Sequence, residues 1–166
     1  YLDSPNNPTG FQFSNKDLEK LIKSFSGPII IDEAYGEFSN SSVLSLVKKY
    51  PNVILVKTLS KAFGLAGLRI GYMIADKKFT EVFSNVIQYP YPLNTLAIEC
   101  GILAIEKSKQ IISIFEIIKK QRARIIKNLK KYDAFDVFDS NANFVLFDAK
   151  GADTRVYNAL IEQGIS

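Results

Sequence analysis

The sequence contains no histidine and only one cysteine, Cys100. Without histidine, a proton-transfer site has to use lysine, tyrosine, aspartate or glutamate, and the commonest neutral metal ligand is missing. A single cysteine cannot form a disulfide within the chain, which fits a reducing compartment. We therefore expect no metal site, and we expect the protein to be cytoplasmic.

Long apolar runs and clustered charges are also missing. No apolar run approaches the ~18–20 residues that a helix needs to cross a bilayer. The first ten residues lack the basic start and apolar centre of a signal peptide. The net charge of +4 comes from lysines dispersed mainly over residues 107–131, whereas a nucleic-acid-binding protein would show a clustered basic stripe or a known motif. We expect neither a membrane nor a nucleic-acid partner.

The patterning of apolar residues predicts an α/β fold with a mostly parallel sheet. Continuous apolar runs such as Ile29–Ile31 and Val53–Val56 are typical of strands buried on both faces, and helical patterns separate them. Further strands are expected at Tyr1–Asp3 and Arg69–Ala75. The predicted helices are Asn15–Ser24 with Ser14 as its cap, Ser42–Lys49, Phe79–Ile87, a helix capped by Asn94 or Thr95 that ends near Glu106, and Lys109–Lys131.

The character of the chain changes near Tyr132. Two β runs, Phe135–Phe138 and Phe144–Phe147, flank a turn, and Asp153 or Thr154 can cap a helix that ends at Gly164. We therefore predict a first domain over residues 1–108, a long connecting helix over 109–132 and a part of a second domain over 133–166.

Three polar side chains follow the ends of three predicted strands, namely Asn7, Asp32 and Lys61. Ligands bind at the carboxyl ends of the strands in open parallel sheets, so these side chains are expected to lie close together. An aspartate directly after Ile29–Ile31 is costly if it is buried without a partner, and it becomes reasonable opposite a cation. Taken singly, Asn7 is also typical of a turn and Asp32 of a helix cap.

The segment Lys57–Tyr72 reads KTLSKAFGLAGLRIGY and surrounds Lys61 with hydroxyls and glycines. Hydroxyls at Thr58 and Ser60 together with Arg69 suit an anionic phosphate next to a reactive amine. Lysine condenses with an aldehyde to give a Schiff base, so pyridoxal phosphate is the first cofactor to consider. Three glycines here match neither the dinucleotide-binding fingerprint nor a P-loop, which disfavours a simple nucleotide-binding domain.

Each candidate residue has a role in such a site. Asp32 would keep the pyridine nitrogen protonated, and Tyr35 and Asn7 could hydrogen-bond the phenolic oxygen of the cofactor. Lys61 would bind the aldehyde and move a proton. Taken alone, Tyr35 is also typical of half-buried packing.

Several motifs of this chain resemble those of fold-type I pyridoxal-phosphate aminotransferases. Ser4–Gly10, Asp32–Tyr35 and Thr58–Tyr72 have the order and spacing of that superfamily. With Tyr89–Thr95 and Asn141–Val145, they look most like the histidinol-phosphate aminotransferase family. The resemblance runs over essentially the whole chain.

The resemblance implies a partial large cofactor-binding domain followed by a partial α+β small domain. By position, Lys61 matches the Schiff-base lysine and Asp32 the partner of the pyridine nitrogen. Asn143 falls in a stretch near the substrate. The other matches are Tyr35 and Asn7 on the phenolic-oxygen side, and Thr58, Ser60 and Arg69 on the phosphate side.

The reaction implied by the resemblance moves an amino group between L-histidinol phosphate and 2-oxoglutarate in a homodimer. The family's N-terminal part and its C-terminal substrate-binding arginine find no match in these residues. We therefore expect a piece of a longer protein, inactive in transamination by itself.

Other readings share the same pocket. An aromatic or aspartate-type aminotransferase and a threonine-phosphate decarboxylase would use the same cofactor chemistry. A non-enzymatic regulator, with an aminotransferase-like domain that senses pyridoxal phosphate behind a DNA-binding module, is the alternative from another class.

Overall fold

The computed structural model of the chain describes residues 1–165, which form helices around a small mixed sheet. The strands are β1 (Leu2–Asp3), β2 (Ile29–Asp32), β3 (Val53–Thr58), β4 (Gly71–Ile74), β5 (Asp136–Val137) and β6 (Phe147–Asp148). The helices are α1 (Asn15–Ser24), α2 (Leu44–Lys49), α3 (Lys77–Val82), α4 (Thr95–Glu106), α5 (Ser108–Leu129) and α6 (Asp153–Glu162).

Strands β1, β2 and β3 run parallel, and β4 lies antiparallel to β3. The register pairs Asp3 with Asp32 and Asp32 with Val56. The carboxyl ends of the three parallel strands therefore meet at one edge of the sheet. The predicted α/β class with a mostly parallel sheet is confirmed.

The main core lies between one face of this sheet and helices α1 and α2. Alternate residues of β2 and β3 point into it, as the twofold period of a strand requires. Fully burying one large aliphatic side chain contributes roughly 1.5–3 kcal/mol relative to leaving it exposed. This core therefore fixes the strands whose ends carry the candidate site. Its buried members are Leu18, Ile22, Ile29, Ile31, Val43, Leu46, Val47, Val53 and Leu55.

The predicted bounds of the first helices are largely confirmed. Helix α1 has the predicted range, and the Ser14 hydroxyl accepts a hydrogen bond from the Asp17 amide at 3.1 Å, as an N-cap does. Helix α2 begins at Leu44, later than predicted, and the Ser42 hydroxyl and the Val43 amide just before it donate hydrogen bonds to the Glu33 side chain.

The strand predicted over Arg69–Ala75 is shorter than expected. Arg69 has a left-handed backbone with a φ of 57° at the end of the short helical turn Ala66–Leu68, so strand β4 begins only at Gly71. The predicted helix over Phe79–Ile87 divides into α3 and a π-helical turn, Phe83–Ile87.

Helix α5 packs against the first part of the chain through Phe115. Phe115 is buried in a cluster with Tyr35, Phe38 and Ala142, and Ile111 and Ile118 border this cluster. The apolar residues of this helix recur at a spacing that predicts one buried face including Ile114 and Ile125. That prediction is only partly correct, because Ile114 and Ile125 are exposed.

The last part of the chain forms a two-stranded antiparallel ladder, β5 with β6, followed by α6. The predicted β run Phe144–Phe147 is wrong over its first residues, because the Phe144 ring leaves the ladder and packs on Tyr35. The predicted cap of α6 is also wrong. Asp153 is the first helical residue, where its carboxylate faces the positive end of the helix dipole. The domain bounds stay a prediction, and Ser166, within the range 133–166, lies outside the described residues.

Across residues 1–165, no helix combines the length and the apolar character needed to cross a membrane. The same residues contain no group of three or more histidine, cysteine, aspartate or glutamate side chains placed to hold a metal ion.

Candidate active site

Tyr35 is the side chain at which the predicted site residues meet. Its hydroxyl accepts a hydrogen bond from Asn7 Nδ2 at 2.9 Å, and Lys61 Nζ lies 5.4 Å from the centre of its ring. Asn7 follows β1, Tyr35 follows β2 and Lys61 follows β3. The expected convergence of side chains from these strand ends is therefore present. Tyr35 itself is buried, which fixes its ring.

Asp32 ends β2 at the same edge of the sheet. One carboxylate oxygen accepts a hydrogen bond from the Ala34 amide at 2.8 Å, and the other accepts one from the hydroxyl of Tyr1. The hydrogen bond to Asp32 is the main reason why the pKa of Tyr1 rises to about 12. The second oxygen of Asp32 thus already accepts a hydrogen bond, and the donor is the exposed side chain of Tyr1.

Thr58 and Ser60 lie together at the start of the lysine loop. Their hydroxyl oxygens are 2.9 Å apart, the Thr58 hydroxyl also reaches the Ile70 carbonyl at 3.0 Å, and the Ser60 amide donates to Thr58 Oγ1 at 3.1 Å. The hydroxyl of Thr58 therefore holds the loop that leads to Lys61. A role of these hydroxyls toward a phosphate stays a prediction.

The structure does not join Arg69 and Asn143 to the other site residues by hydrogen bonds within residues 1–165. The guanidinium of Arg69 donates to the Ala66 carbonyl at 3.1 Å and is otherwise exposed. Asn143 is exposed as well and is the neighbour of Phe144, whose ring stands edge-on to Tyr35 at 5.1 Å. Their roles toward phosphate and substrate stay predictions.

Phe144 belongs to a contact that the sequence did not predict, between the first loop of the chain and residues 140–144. The Asn141 amide donates to the Gly10 carbonyl at 2.8 Å. The Arg122 guanidinium donates to the carbonyls of Phe38 at 3.0 Å and Ala142 at 2.6 Å, and burial lowers the pKa of Arg122. The motifs Ser4–Gly10 and Asn141–Val145 mark the two segments, but nothing in the sequence marks their contact, since they touch only after the chain has folded.

A second group missed from the sequence is a buried ion-pair cluster beside Asp32. Lys57 Nζ lies 3.3 Å from Glu33 Oε2 and 2.8 Å from Glu37 Oε1. Burial alone would lower the pKa of Lys57, but the hydrogen bond to Glu37 and the charges of Glu37 and Glu33 raise it above its ordinary value. The ammonium group of Lys57 is thus held between two carboxylates.

The donors and acceptors at this edge of the sheet suit a protonated pyridine ring that carries a phenolic oxygen and an aldehyde. Asp32 offers a carboxylate oxygen that already accepts from a donor. Tyr35 accepts from Asn7, so its own hydroxyl proton is free to donate. Lys61 is exposed, and its amine forms no ion pair with any other described residue. The residues present therefore fit pyridoxal phosphate.

The family model described as aminotransferase class I and II matches residues 1–166. The chain belongs to this family. Among curated relatives of this aminotransferase chain, the histidinol-phosphate aminotransferase of Thermoanaerobacter pseudethanolicus is 38% identical over 165 residues. That match covers 99% of this chain and 46% of the relative.

Solved structures of the family agree. The histidinol-phosphate aminotransferase of Clostridium acetobutylicum is similar with a TM-score of 0.86 and 29% identity, over 99% of this chain and 52% of that one. The histidinol-phosphate aminotransferase of Sinorhizobium meliloti in complex with pyridoxal-5'-phosphate has a TM-score of 0.82 and 25% identity, over 99% and 47%. This aminotransferase chain spans about half the length of the relatives that it matches.

Proposed function

We propose that these residues form the cofactor-facing part of a pyridoxal-phosphate-dependent aminotransferase. The observation that carries the proposal is the contact of Tyr35 with both Asn7 and Lys61, beside Asp32, at the edge where three parallel strands end. A packed core does not need an amide, a phenol, an amine and a carboxylate from separate segments at one place. When bound, the cofactor supplies an electron sink that stabilises negative charge at the substrate carbon.

Four residues, namely Lys61, Asp32, Tyr35 and Asn7, would each bind a different part of the cofactor or act on the substrate. Lys61 Nζ would hold the cofactor's aldehyde, and its amine would move the proton at the substrate Cα. Asp32 would hold the ring nitrogen in place of the hydroxyl of Tyr1, and its charge would favour the protonated nitrogen. Tyr35 and Asn7 would orient the ring through its phenolic oxygen.

The phosphate would lie at the lysine loop. Ser60 and Arg69 supply a hydroxyl and a guanidinium for it, and Thr58 contributes by holding the loop in place. A guanidinium carries five N–H groups, and one N–H of Arg69 donates to the Ala66 carbonyl. The other N–H groups could bind the phosphate.

The proposed substrates are L-histidinol phosphate and 2-oxoglutarate, with Asn143 near the substrate. The similarity to histidinol-phosphate aminotransferases over the whole of this chain supports this choice. An amino-donor comparison tests it, because preference for an aromatic amino acid or aspartate, or release of carbon dioxide from threonine phosphate, would instead favour one of the related enzymes.

We also propose a cytoplasmic homodimer for the intact protein. Helix α4 is apolar on nearly all sides, and helices of this kind are normally buried. Here Leu96, Leu103 and Ile105 are each more than half exposed, at 65%, 54% and 61%. A second copy of the intact protein would cover such a surface.

The first experiment is to trap the cofactor. The chain is mixed with pyridoxal phosphate and reduced with borohydride, and the modified peptide is mapped by mass spectrometry. We expect one adduct per chain on Lys61, which excess competing amine abolishes, while Lys61→Ala serves as the control. We further expect no transamination by the 166-residue chain alone, because it spans about half the length of its relatives.

Labels scattered over the surface lysines would show that the pocket does not form from these residues alone. The same test on a full-length polypeptide that carries them then decides the matter. Scattered labelling there too would refute the cofactor site, and turnover by the 166-residue chain would refute the predicted inactivity.

A further inference from the structure

The cluster of buried Glu33 with partly buried Glu37 and Lys57, here called the Lys57 cluster, is more elaborate than an ordinary ion pair. Glu33 is fully buried, and each of its oxygens is bound, one by the Val43 amide at 2.6 Å and the other by the Ser42 hydroxyl at 2.9 Å and by Lys57. The second oxygen of Glu37 is buried and has no hydrogen-bond partner among residues 1–165. A single ammonium group, that of Lys57, thus faces two carboxylates.

The backbone leaves room for this cluster at Gly36. A Cβ at Gly36 would lie 2.9 Å from Glu33 Cβ and 3.2 Å from Lys57 Nζ, so any larger residue would push the cluster apart. The Gly36 amide also donates to the Glu33 carbonyl at 2.9 Å. The turn after β2 is therefore shaped around the ion pair.

The location of the Lys57 cluster in the chain connects it to the candidate site. Glu33 directly follows Asp32. Lys57 belongs to strand β3 and lies four residues before Lys61. The Glu33 amide also donates to the Val56 carbonyl at 2.8 Å. The cluster therefore ties the turn that carries Asp32 and Tyr35 to the strand that leads into the lysine loop.

Stability alone does not account for such a cluster. Removing charges from water costs about as much as a buried pair regains, and well-packed apolar residues often stabilise a protein as well or better. What an ion pair adds is a fixed geometry, since each oxygen that is bound has to meet a particular donor. Catalysis depends on such geometry, because small misplacements of reacting groups are costly.

We propose that the Lys57 cluster is a positioning device that sets Asp32 and Tyr35 relative to Lys61. The inference rests on the proposed function, because it concerns the same cofactor site. Its three members do not touch the cofactor in this proposal. They act through the two backbone segments that they join.

The test compares Lys57→Met, which removes the charge and keeps most of the stem, with Lys57→Arg, which keeps the charge. Lys49→Met is the matched control, because Lys49 forms an ion pair with Glu19 at 2.6 Å on the surface. Two readouts are used in the full-length polypeptide. One is the share of borohydride-trapped cofactor on Lys61, and the other is amide hydrogen exchange of residues 32–37 and 58–65 without cofactor.

We expect Lys57→Met to reduce the share of label on Lys61 about tenfold or more. Exchange should become faster in residues 32–37 and 58–65, while exchange in α1 stays unchanged. Lys57→Arg should restore both readouts, and Lys49→Met should change neither. A role in overall stability alone would instead speed up exchange throughout the core.

The outcomes separate the two proposals. If the unsubstituted protein itself shows no selective label on Lys61, the proposed function fails, and the exchange of the cofactor-free protein still tests positioning. If Lys57→Met labels Lys61 normally and exchanges normally, the positioning proposal is overturned. If Lys57→Met does not fold, Glu37→Gln replaces it under the same criteria, since it keeps the pair of Lys57 with Glu33.

Discussion

Tyr35 combines contacts that come from three distant parts of the chain. Asn7 binds its hydroxyl, the Lys61 amine lies over its ring, and the Phe144 ring meets it edge-on. Edge-to-face aromatic pairs are worth about 0.5–1.5 kcal/mol beyond their buried area, so Phe144 helps to hold the phenol where Asn7 can reach it. The orientation of the Tyr35 hydroxyl thus depends in part on a residue 109 positions further along the chain.

Replacing Tyr35 by phenylalanine would remove the hydroxyl and keep the packing of the ring. A donor to the phenolic oxygen of the cofactor favours the charged form of that oxygen, so its loss raises the pKa of the bound cofactor. We expect the pH midpoint of the cofactor's absorbance change in Tyr35→Phe to rise by about one unit or more, the equivalent of one hydrogen bond.

A pH titration of the absorbance in the full-length polypeptide measures this shift. Tyr50→Phe is the control, because the Tyr50 hydroxyl binds Glu19 on the far side of helix α1. An unchanged midpoint in a folded Tyr35→Phe protein would contradict the role assigned to the hydroxyl.

At the scale of single elements, helix α1 is held to the end of α2 by one carboxylate. Glu19 accepts hydrogen bonds from Lys49 Nζ at 2.6 Å and from the Tyr50 hydroxyl at 2.5 Å, and these bonds lower the pKa of Glu19 from 4.5 to about 2. Because the pKa is lower in the folded state, this contribution to stability is present above pH 4.5 and is lost as the pH falls to about 2.

Glu19→Gln is therefore expected to lower the urea midpoint at neutral pH and to flatten the loss of stability between pH 4.5 and 2. Urea unfolding at several pH values measures both effects. The pair is exposed, so ~1 M salt should shrink the difference between the two proteins. Identical pH profiles for Glu19→Gln and the unsubstituted chain at low salt would count against the assignment.

Elements with a clear period or cap could be predicted from the sequence. The central strands were predicted from the apolar runs Ile29–Ile31 and Val53–Val56. The N-caps of α1 and α4 are Ser14 and Asn94, as predicted. The convergence of Asn7 and Lys61 could be predicted as well, because parallel strands end at a common edge.

Contacts that depend on the folded chain could not be predicted in the same way. Arg122 binds the carbonyl of Phe38 across 84 residues, and a backbone carbonyl leaves no mark in a sequence. The run Phe144–Phe147 alternates like a strand, yet Phe144 lies outside the short ladder of β5 and β6 and packs on Tyr35 instead. The pairing of Lys57 with Glu33 was missed because each residue looks like an ordinary charge beside a strand.

At the scale of the whole molecule, the loop over residues 4–10 is fitted closely to Ser140. Gly10 has a φ of 71°, and a Cβ there would lie 2.6 Å from the Ser140 Cβ. Gly64 has nearly the same φ, 68°, with open space around it. A comparison of substitutions at Gly10 and Gly64 therefore distinguishes the cost of the left-handed backbone from the cost of steric overlap with Ser140.

Gly64→Ala is expected to cost about 1–2 kcal/mol of unfolding free energy through the left-handed backbone alone. Gly10→Ala should cost about 1–3 kcal/mol more, because the methyl group overpacks the contact with Ser140. Urea unfolding in the full-length polypeptide, with midpoint and slope analysed together, measures both. Equal losses for the two variants would mean that this loop and Ser140 do not meet in solution.

The length of helix α5 determines how far a small tilt of the helix would move its end. Its 22 residues extend over about 33 Å, and its contacts with the first part of the chain at Phe115 and Arg122 are about 10 Å apart along the axis. The segment from Arg122 to Leu129 projects about 10 Å further, so a tilt of about 5° around Arg122 would displace Leu129 by about 1 Å. Arg122 thus lies about midway between the aromatic cluster under Tyr35 and the end of the helix that leads to β5 and β6, about 10 Å from each.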